Sequence, residues 1–239
     1  MRLLLVNPNT NADTTASMVA IARCAAPPGV VIEGATAPFG VSLITDEGAL
    51  AVAAEAVVTL LGEGAAEGFD GVIVAAFGDP GLSALRGSLT VPVTGIAEAS
   101  MAEAAEIGPF AVVTTTPALV LSITRASQAY GHAERFRGVR LTDGNPHAIM
   151  ADAAGLVPAL ASACRIALAR DGASAIVIGG GPLAAAALEL RSIIAAPIIE
   201  PIPAGVRLAV KRVGSSRSVD GLTIPCTTVV QEPTPWQKS

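Results

Sequence analysis

The chain has 239 residues, with 15 Lys plus Arg against 20 Asp plus Glu and a formal charge of -5. At roughly 150 residues per domain this length holds one or two domains, and the charge leaves no basic footprint for a phosphate backbone, which excludes nucleic acid as a partner. Hydrophobic residues make up 51%, yet the aromatics are one Trp, one Tyr and five Phe, so the core is built from Ala, Val, Leu and Ile and a base-stacking platform or aromatic cage is excluded.

The N-terminus offers Arg2 and four apolar residues, Leu3 to Val6, before Asn7-Pro8. That is too short for the core of a signal peptide. The longest charge-free stretch, Ile107 to Thr124, is cut by Gly108-Pro109, by Thr114-Thr115-Thr116 and by Pro117 into a Val-rich strand and a following helix. A soluble, cytoplasmic protein without a membrane partner is expected. Cys24, Cys164 and Cys226 are widely spaced, with only His132 and His147 to complement them. Neither a disulfide framework nor a metal site is expected from that set.

In chain order, short apolar runs at Leu3–Val6, Val30–Ile32, Gly71–Ala75, Phe110–Val113, Ala175–Ile178 and Ile198–Ile199 alternate with Ala-rich segments. Residues 46–67, 149–170 and 182–193 are the clearest helices, the middle one stopped by Asp171-Gly172. This alternation predicts an α/β fold with parallel sheets covered by helices. The chain also resembles itself. Leu3 to Thr10 matches Phe110 to Pro117, and Gly71 to Gly78 matches Ala175 to Pro182, each a buried strand running into a polar or small-residue turn and a helix. Asn7 to Ala76 spans 69 residues and Thr114 to Gly180 spans 66, so the pattern predicts a duplicated lobe.

Ligands of open α/β sheets sit beyond the carboxyl ends of the strands. Those ends carry Asn7-Pro8-Asn9-Thr10, Gly78-Asp79-Pro80-Gly81, Thr114-Thr115-Thr116-Pro117 and Gly179-Gly180-Gly181-Pro182. Pro near the first helical position, with Gly, Asp or Thr before it, leaves backbone N–H groups free, a ready site for an anion. Each turn also reads as capping alone. The phosphate-loop, nucleophile-elbow and dinucleotide fingerprints are absent, so no cofactor is expected.

The strand ending Val6-Asn7-Pro8-Asn9-Thr10, the turn Phe77-Gly78-Asp79-Pro80-Gly81-Leu82, the segment Val93 to Ala99, the strand ending Val112-Val113-Thr114-Thr115 and the region of Gly179 together resemble the aspartate, glutamate and hydantoin racemase superfamily. Its hydantoin and allantoin racemase branch is the nearest in pattern, over residues 1 to 213. The resemblance implies two pseudo-symmetric Rossmann-like lobes with the active site in the cleft between them, no cofactor and a homo-oligomer. It divides the chain into a first lobe of 1–96 plus 197–213, a second of 97–196 and a tail of 214–239. Pro197-Ile198-Ile199-Glu200 resembles the family strand that crosses back.

The resemblance also implies a racemase of small amino-acid derivatives or cyclic ureides, with an anionic or imide substrate. In that chemistry one cysteine from each lobe acts, a thiolate removing the α-proton and a thiol returning one to the opposite face. The matching positions here hold Ala76 and Gly180. Two other readings therefore stand beside the racemase: a lyase or isomerase using Asp79, a threonine or water, and a binding protein without catalysis. Asn7, Asn9, Thr10, Phe77, Gly78, Thr114, Thr115, Thr116, Gly181 and Pro182 are the candidate substrate contacts. Asp79 reads either as a replacement base or as a turn and cap residue. His147 reads as a neutral-pH titrating group or an exposed loop residue, Glu98 and Glu200 as structural acids, and Ser42 with Thr45 as part of a loop covering the cleft.

Overall fold

The computed structural model describes residues 1–145, 148–149, 152–180 and 183–220. The first half runs β1 (Arg2–Asn7), α1 (Ala12–Ala25), β2 (Val31–Thr36), α2 (Glu47–Leu60), β3 (Gly71–Val74), α3 (Leu82–Ser88), β4 (Val93–Gly95) and α4 (Ile96–Ile107). The second half repeats it: β5 (Phe110–Thr114), α5 (Val120–Ala129), β6 (Phe136–Leu141), α6 (Ala153–Arg170), β7 (Ala175–Ile178), α7 (Ala184–Ile193), β8 (Ile198–Ile199) and α8 (Pro201–Asp220). Two parallel four-stranded sheets result, ordered β2-β1-β3-β4 and β6-β5-β7-β8. The α/β fold with two lobes expected from the strand and helix rhythm is the fold observed.

The central strands β1, β3, β5 and β7 are buried almost throughout, because helices cover both faces of each parallel sheet. Against one face of the first sheet, Met18, Val19 and Ala22 of α1 and Ile202, Val206, Ala209 and Val213 of α8 pack on Leu3, Leu5 and Ile73. Against one face of the second, Ala97, Met101 and Ala104 of α4 pack on Phe110, Val112 and Val177. Each half therefore lends its last helix to the other lobe's sheet. Where α8 crosses α4, a Cβ on Gly205 would lie 3.0 Å from Ile96 Cγ2, so the absence of a side chain sets how closely they approach.

This exchange corrects two of the expected boundaries. Ile198 and Ile199 pair with Ile176 and Val177 of β7, so this strand completes the second sheet and not the first. The element that crosses back is α8, whose apolar face continues the core of the first sheet. Its helix runs on to Asp220, so residues 214–220 are helical and not tail; residues 221–239, with Cys226, Trp236 and the apolar run Thr223–Val230, lie outside the described residues. The charge-free stretch 107–124 is a strand, a Pro117–Leu119 turn and the start of α5. The long apolar helix is instead Glu47–Ala65, α2 with a π-helical extension: by length and composition it is able to cross a membrane, and it packs Val57 and Leu61 against Leu4, Val72 and Val74.

Helix α1 begins at Asn11, whose side chain accepts the Thr14 N–H at 3.1 Å. Asn11→Ala removes this cap and is expected to cost about 1 kcal/mol of stability, measurable as a lower urea midpoint with an unchanged slope.

Candidate active-site cleft

One cleft runs between the carboxyl ends of the two sheets. It is lined from the first lobe by Asn9, Thr14, Met18, Leu43, Ile44, Thr45, Ala75, Ala76 and Phe77, and from the second by Thr115, Thr116, Leu119, Ile123, Gly179, Gly180 and Leu183. Ala76 and Gly180 thus belong to one cleft and come from opposite lobes. The cavity offers ≈ 70 Å³ to the centre of a water-sized sphere, several times the roughly 10–15 Å³ that one water occupies by that measure. A small molecule fits there.

The walls are mostly apolar and the polar groups are few. Among the described residues no Asp, Glu, His, Lys, Arg or Cys lines the cleft. What remains is neutral: Asn9 Nδ2 and the hydroxyls of Thr14, Thr45, Thr115 and Thr116, none of which has a hydrogen-bond partner among the described residues. The backbone adds more donors. The amides of Ala76, Phe77 and Gly78 on one side, and of Thr115, Thr116 and Gly180 on the other, likewise have no partner among the described residues. Unpaired N–H groups at strand ends favour a ligand oxygen carrying negative charge.

The first turn behaves differently from this pattern. Asn7 is fully buried, and its Nδ2 donates to Asn9 Oδ1, the Asn11 carbonyl and Thr15 Oγ1 at 2.8–3.0 Å. Its Oδ1 accepts the Asn9 N–H, and the Thr10 N–H is bonded to the Val41 carbonyl. Asn7 and Thr10 spend these groups on holding the turn and the 37–46 loop, and only Asn9 of this turn faces the cleft. Thr114 is buried at the end of β5 and does not line the cleft, unlike Thr115 and Thr116. Phe77 lines it while reaching into the second-lobe core beside Val112 and Ile123. A Cβ on Gly179 would meet Val112 Cγ1 at 2.7 Å and Phe77 Cε1 at 3.3 Å, so this glycine lets the lobes close on each other. Gly78 has a φ of +123°, a conformation that suits glycine alone, and stands next to the wall without being part of it.

Asp79 does not line the cleft. It is 5% exposed, with a φ of +48°, and its carboxylate accepts the Ala97 and Glu98 N–H groups at 2.9 and 2.7 Å and the Tyr130 hydroxyl at 2.7 Å. Burial pushes its pKa up to about 6, against the pull of these hydrogen bonds. Its side chain caps the first turn of α4 and not α3, the helix that follows it in the chain. Tyr130 is pushed up by its own burial and by the Asp79 charge, and so stays a donor.

Glu98 is a structural acid: burial alone would raise its pKa, but hydrogen bonds from Arg212 and Arg86 outweigh burial and hold it below the usual range. Glu200 pairs with Arg191 at 3.0 Å and lies in a separate groove. Cys24 is exposed in that same groove, while Cys164 is buried with its thiol pushed up to about 12 by burial. Thr45 lines the cleft and Ser42 is exposed outside it. Gly181, Pro182 and His147 lie outside the described residues.

Sequence reasoning missed the apolar wall of Met18, Leu43, Ile44, Leu119, Ile123 and Leu183: the helical ones read as ordinary core, and Leu43 and Ile44 sit in an irregular loop with no periodicity to mark a face. It also missed Tyr130. Its being the only tyrosine was a signal of composition, not of place.

Residues 3–209 match the family profile described as Asp/Glu/Hydantoin racemase. Among curated proteins, a hydantoin racemase of Rhizobium meliloti is 30% identical over 223 residues, covering 90% of each chain. Among solved structures, allantoin racemase from Klebsiella pneumoniae is 33% identical with a TM-score of 0.84, covering 90% of this chain and 89% of that one. Allantoin racemase from Pseudomonas fluorescens is 30% identical with a TM-score of 0.85, covering 90% and 92%.

Proposed function

The chain belongs to the Asp/Glu/hydantoin racemase family, and on that premise we propose that its cleft binds a small cyclic ureide or amino-acid derivative and acts at the carbon α to the carbonyl, without a cofactor. The observation that carries this reading is the two sets of unpaired amides, Ala76 and Phe77 on one lobe and Thr115, Thr116 and Gly180 on the other, at residues that line one small cavity. Loss of a proton α to a carbonyl moves negative charge onto the carbonyl oxygen, and pre-placed N–H donors stabilise that charge without reorganising. An imide or carboxylate ligand supplies oxygens of the right kind, and hydantoin and allantoin, named in the related racemases, are such ureides.

Ala76 and Gly180 stand where the resemblance puts the two cysteines, so proton transfer here falls to a threonine hydroxyl or to water. Asp79 is not that base, since it does not line the cleft and its carboxylate is bonded to Ala97, Glu98 and Tyr130. Binding without turnover is the second reading, favoured by the lack of any titratable side chain in the described lining. Incubation with 5-substituted hydantoins, allantoin and free amino acids in deuterated water separates the two. Deuterium at Cα with inversion supports a racemase, and exchange with retention supports a one-sided acid/base reaction. Protection against thermal unfolding without exchange supports a binder, and neither protection nor exchange with any of these compounds overturns the reading.

A further inference from the structure

The turn after β3 brings Ala76 and Phe77 to the cleft, and its next polar residue joins parts of the molecule that are far apart in sequence. The Asp79 carboxylate receives two N–H groups from the first turn of α4 and the hydroxyl of Tyr130, the residue that ends α5. Both α4 and α5 pack on the second sheet, α4 against β5 and β7 and α5 against β6. Gly95 makes the space: an ideal Cβ there would lie 2.2 Å from Asp79 Cγ.

We infer that Asp79 is a positioning residue, which through Tyr130 and the first turn of α4 fixes the Ala76–Phe77 wall of the cleft relative to the second lobe. Asp79 itself has a φ of +48°, a left-handed conformation that Asp adopts more readily than other non-glycine residues. The charged and titratable groups around the carboxylate are Tyr130, Glu98 with its partners Arg86 and Arg212, and His132 near Glu98. Both arginines point their guanidinium groups at Glu98 and the Val93 carbonyl, so Tyr130 is the one side chain bonded to Asp79 among the described residues.

Tyr130 is the only tyrosine, so ring-labelled tyrosine gives one carbon signal that reports this bond. Its Cζ shift is expected to move as Asp79 titrates and to lose that step in Asp79→Asn. The heteronuclear NOE of the Ala76, Phe77 and Gly78 amides, measured without ligand, is expected to fall in Asp79→Asn and in Tyr130→Phe while β1 and β5 keep theirs. Tyr130→Phe retains the ring and keeps the test open should Asp79→Asn fail to fold. Unchanged order at residues 76–78 in the folded variants overturns the inference. For its ligand arm alone, the inference rests on the proposed function: binding of 5-methylhydantoin is expected to weaken roughly tenfold in both variants, the weight of one hydrogen bond. Loosened amides in the variants, with no hydantoin bound by the unaltered protein, leave the positioning role intact and overturn only the functional reading.

Discussion

The double variant Ala76→Cys with Gly180→Cys is expected to racemise a 5-substituted hydantoin in deuterated water, while neither single variant inverts the centre. Inversion needs a base on one face of Cα and an acid on the other, so one thiol can only exchange or return a proton on its own side. The two positions come from opposite lobes and line one cleft, as that chemistry requires. Unpaired amides at Ala76–Gly78 and at Gly180 favour a thiolate at each site, the same effect that lowers thiol pKa values at helix N-termini.

A gain of about 10²–10⁴-fold over the unaltered protein is the range for a positioned acid/base group. Ala76 already carries a Cβ. A Cβ on Gly180 would lie 3.3 Å from the Leu183 side chain, and the φ of +157° there is one that L side chains rarely adopt, so Gly180→Cys strains the turn. Circular dichroism establishes folding first. A folded double variant that binds the hydantoin and shows no deuterium at Cα would mean that the cleft does not present Cα between residues 76 and 180.

The repeat and the parallel sheets were legible because buried strands such as Leu3–Val6 and Ala175–Ile178 are uniform apolar runs ending in turn residues. β6 was not, since Arg137 and Arg140 interrupt Phe136–Leu141 and an edge strand needs only part of its surface apolar. The strand at 198–199 was found but given to the wrong lobe: with two residues it carries no pairing preference, and only the partners Ile176 and Val177 decide its sheet. The cleft followed the same division. Turns read as helix entries did place Ala76, Thr115, Thr116 and Gly180 together, because strand ends in parallel sheets share one edge. What Asn7 and Asp79 do there was undetermined in the sequence, since a polar turn residue faces a ligand or its own backbone according to neighbours such as Thr15 and Tyr130 that are distant in the chain.

The burial of Asp79 makes the stability of the protein depend on pH in a direction opposite to that of most carboxylates. Two effects compete at Asp79: three donated hydrogen bonds favour the charged form, and a side chain only 5% exposed disfavours it. Burial is the larger, with the native pKa pushed from 3.8 to about 6. Between those values the folded chain holds a proton that the unfolded chain has lost, so stability from this group rises as pH falls through about 6 and levels off below 3.8. A shift of this size corresponds to about 3 kcal/mol. Asp79→Asn removes the titration and leaves Glu98 and His132 in place, so their contributions cancel when the two proteins are compared. The stability of the unaltered protein relative to Asp79→Asn, from urea unfolding at each pH, is therefore expected to be greater near pH 4 than near pH 7, by about 2 kcal/mol. If the difference grows toward neutral pH instead, the hydrogen bonds from Ala97, Glu98 and Tyr130 outweigh burial, and Asp79 is held in its charged form as an ordinary helix cap.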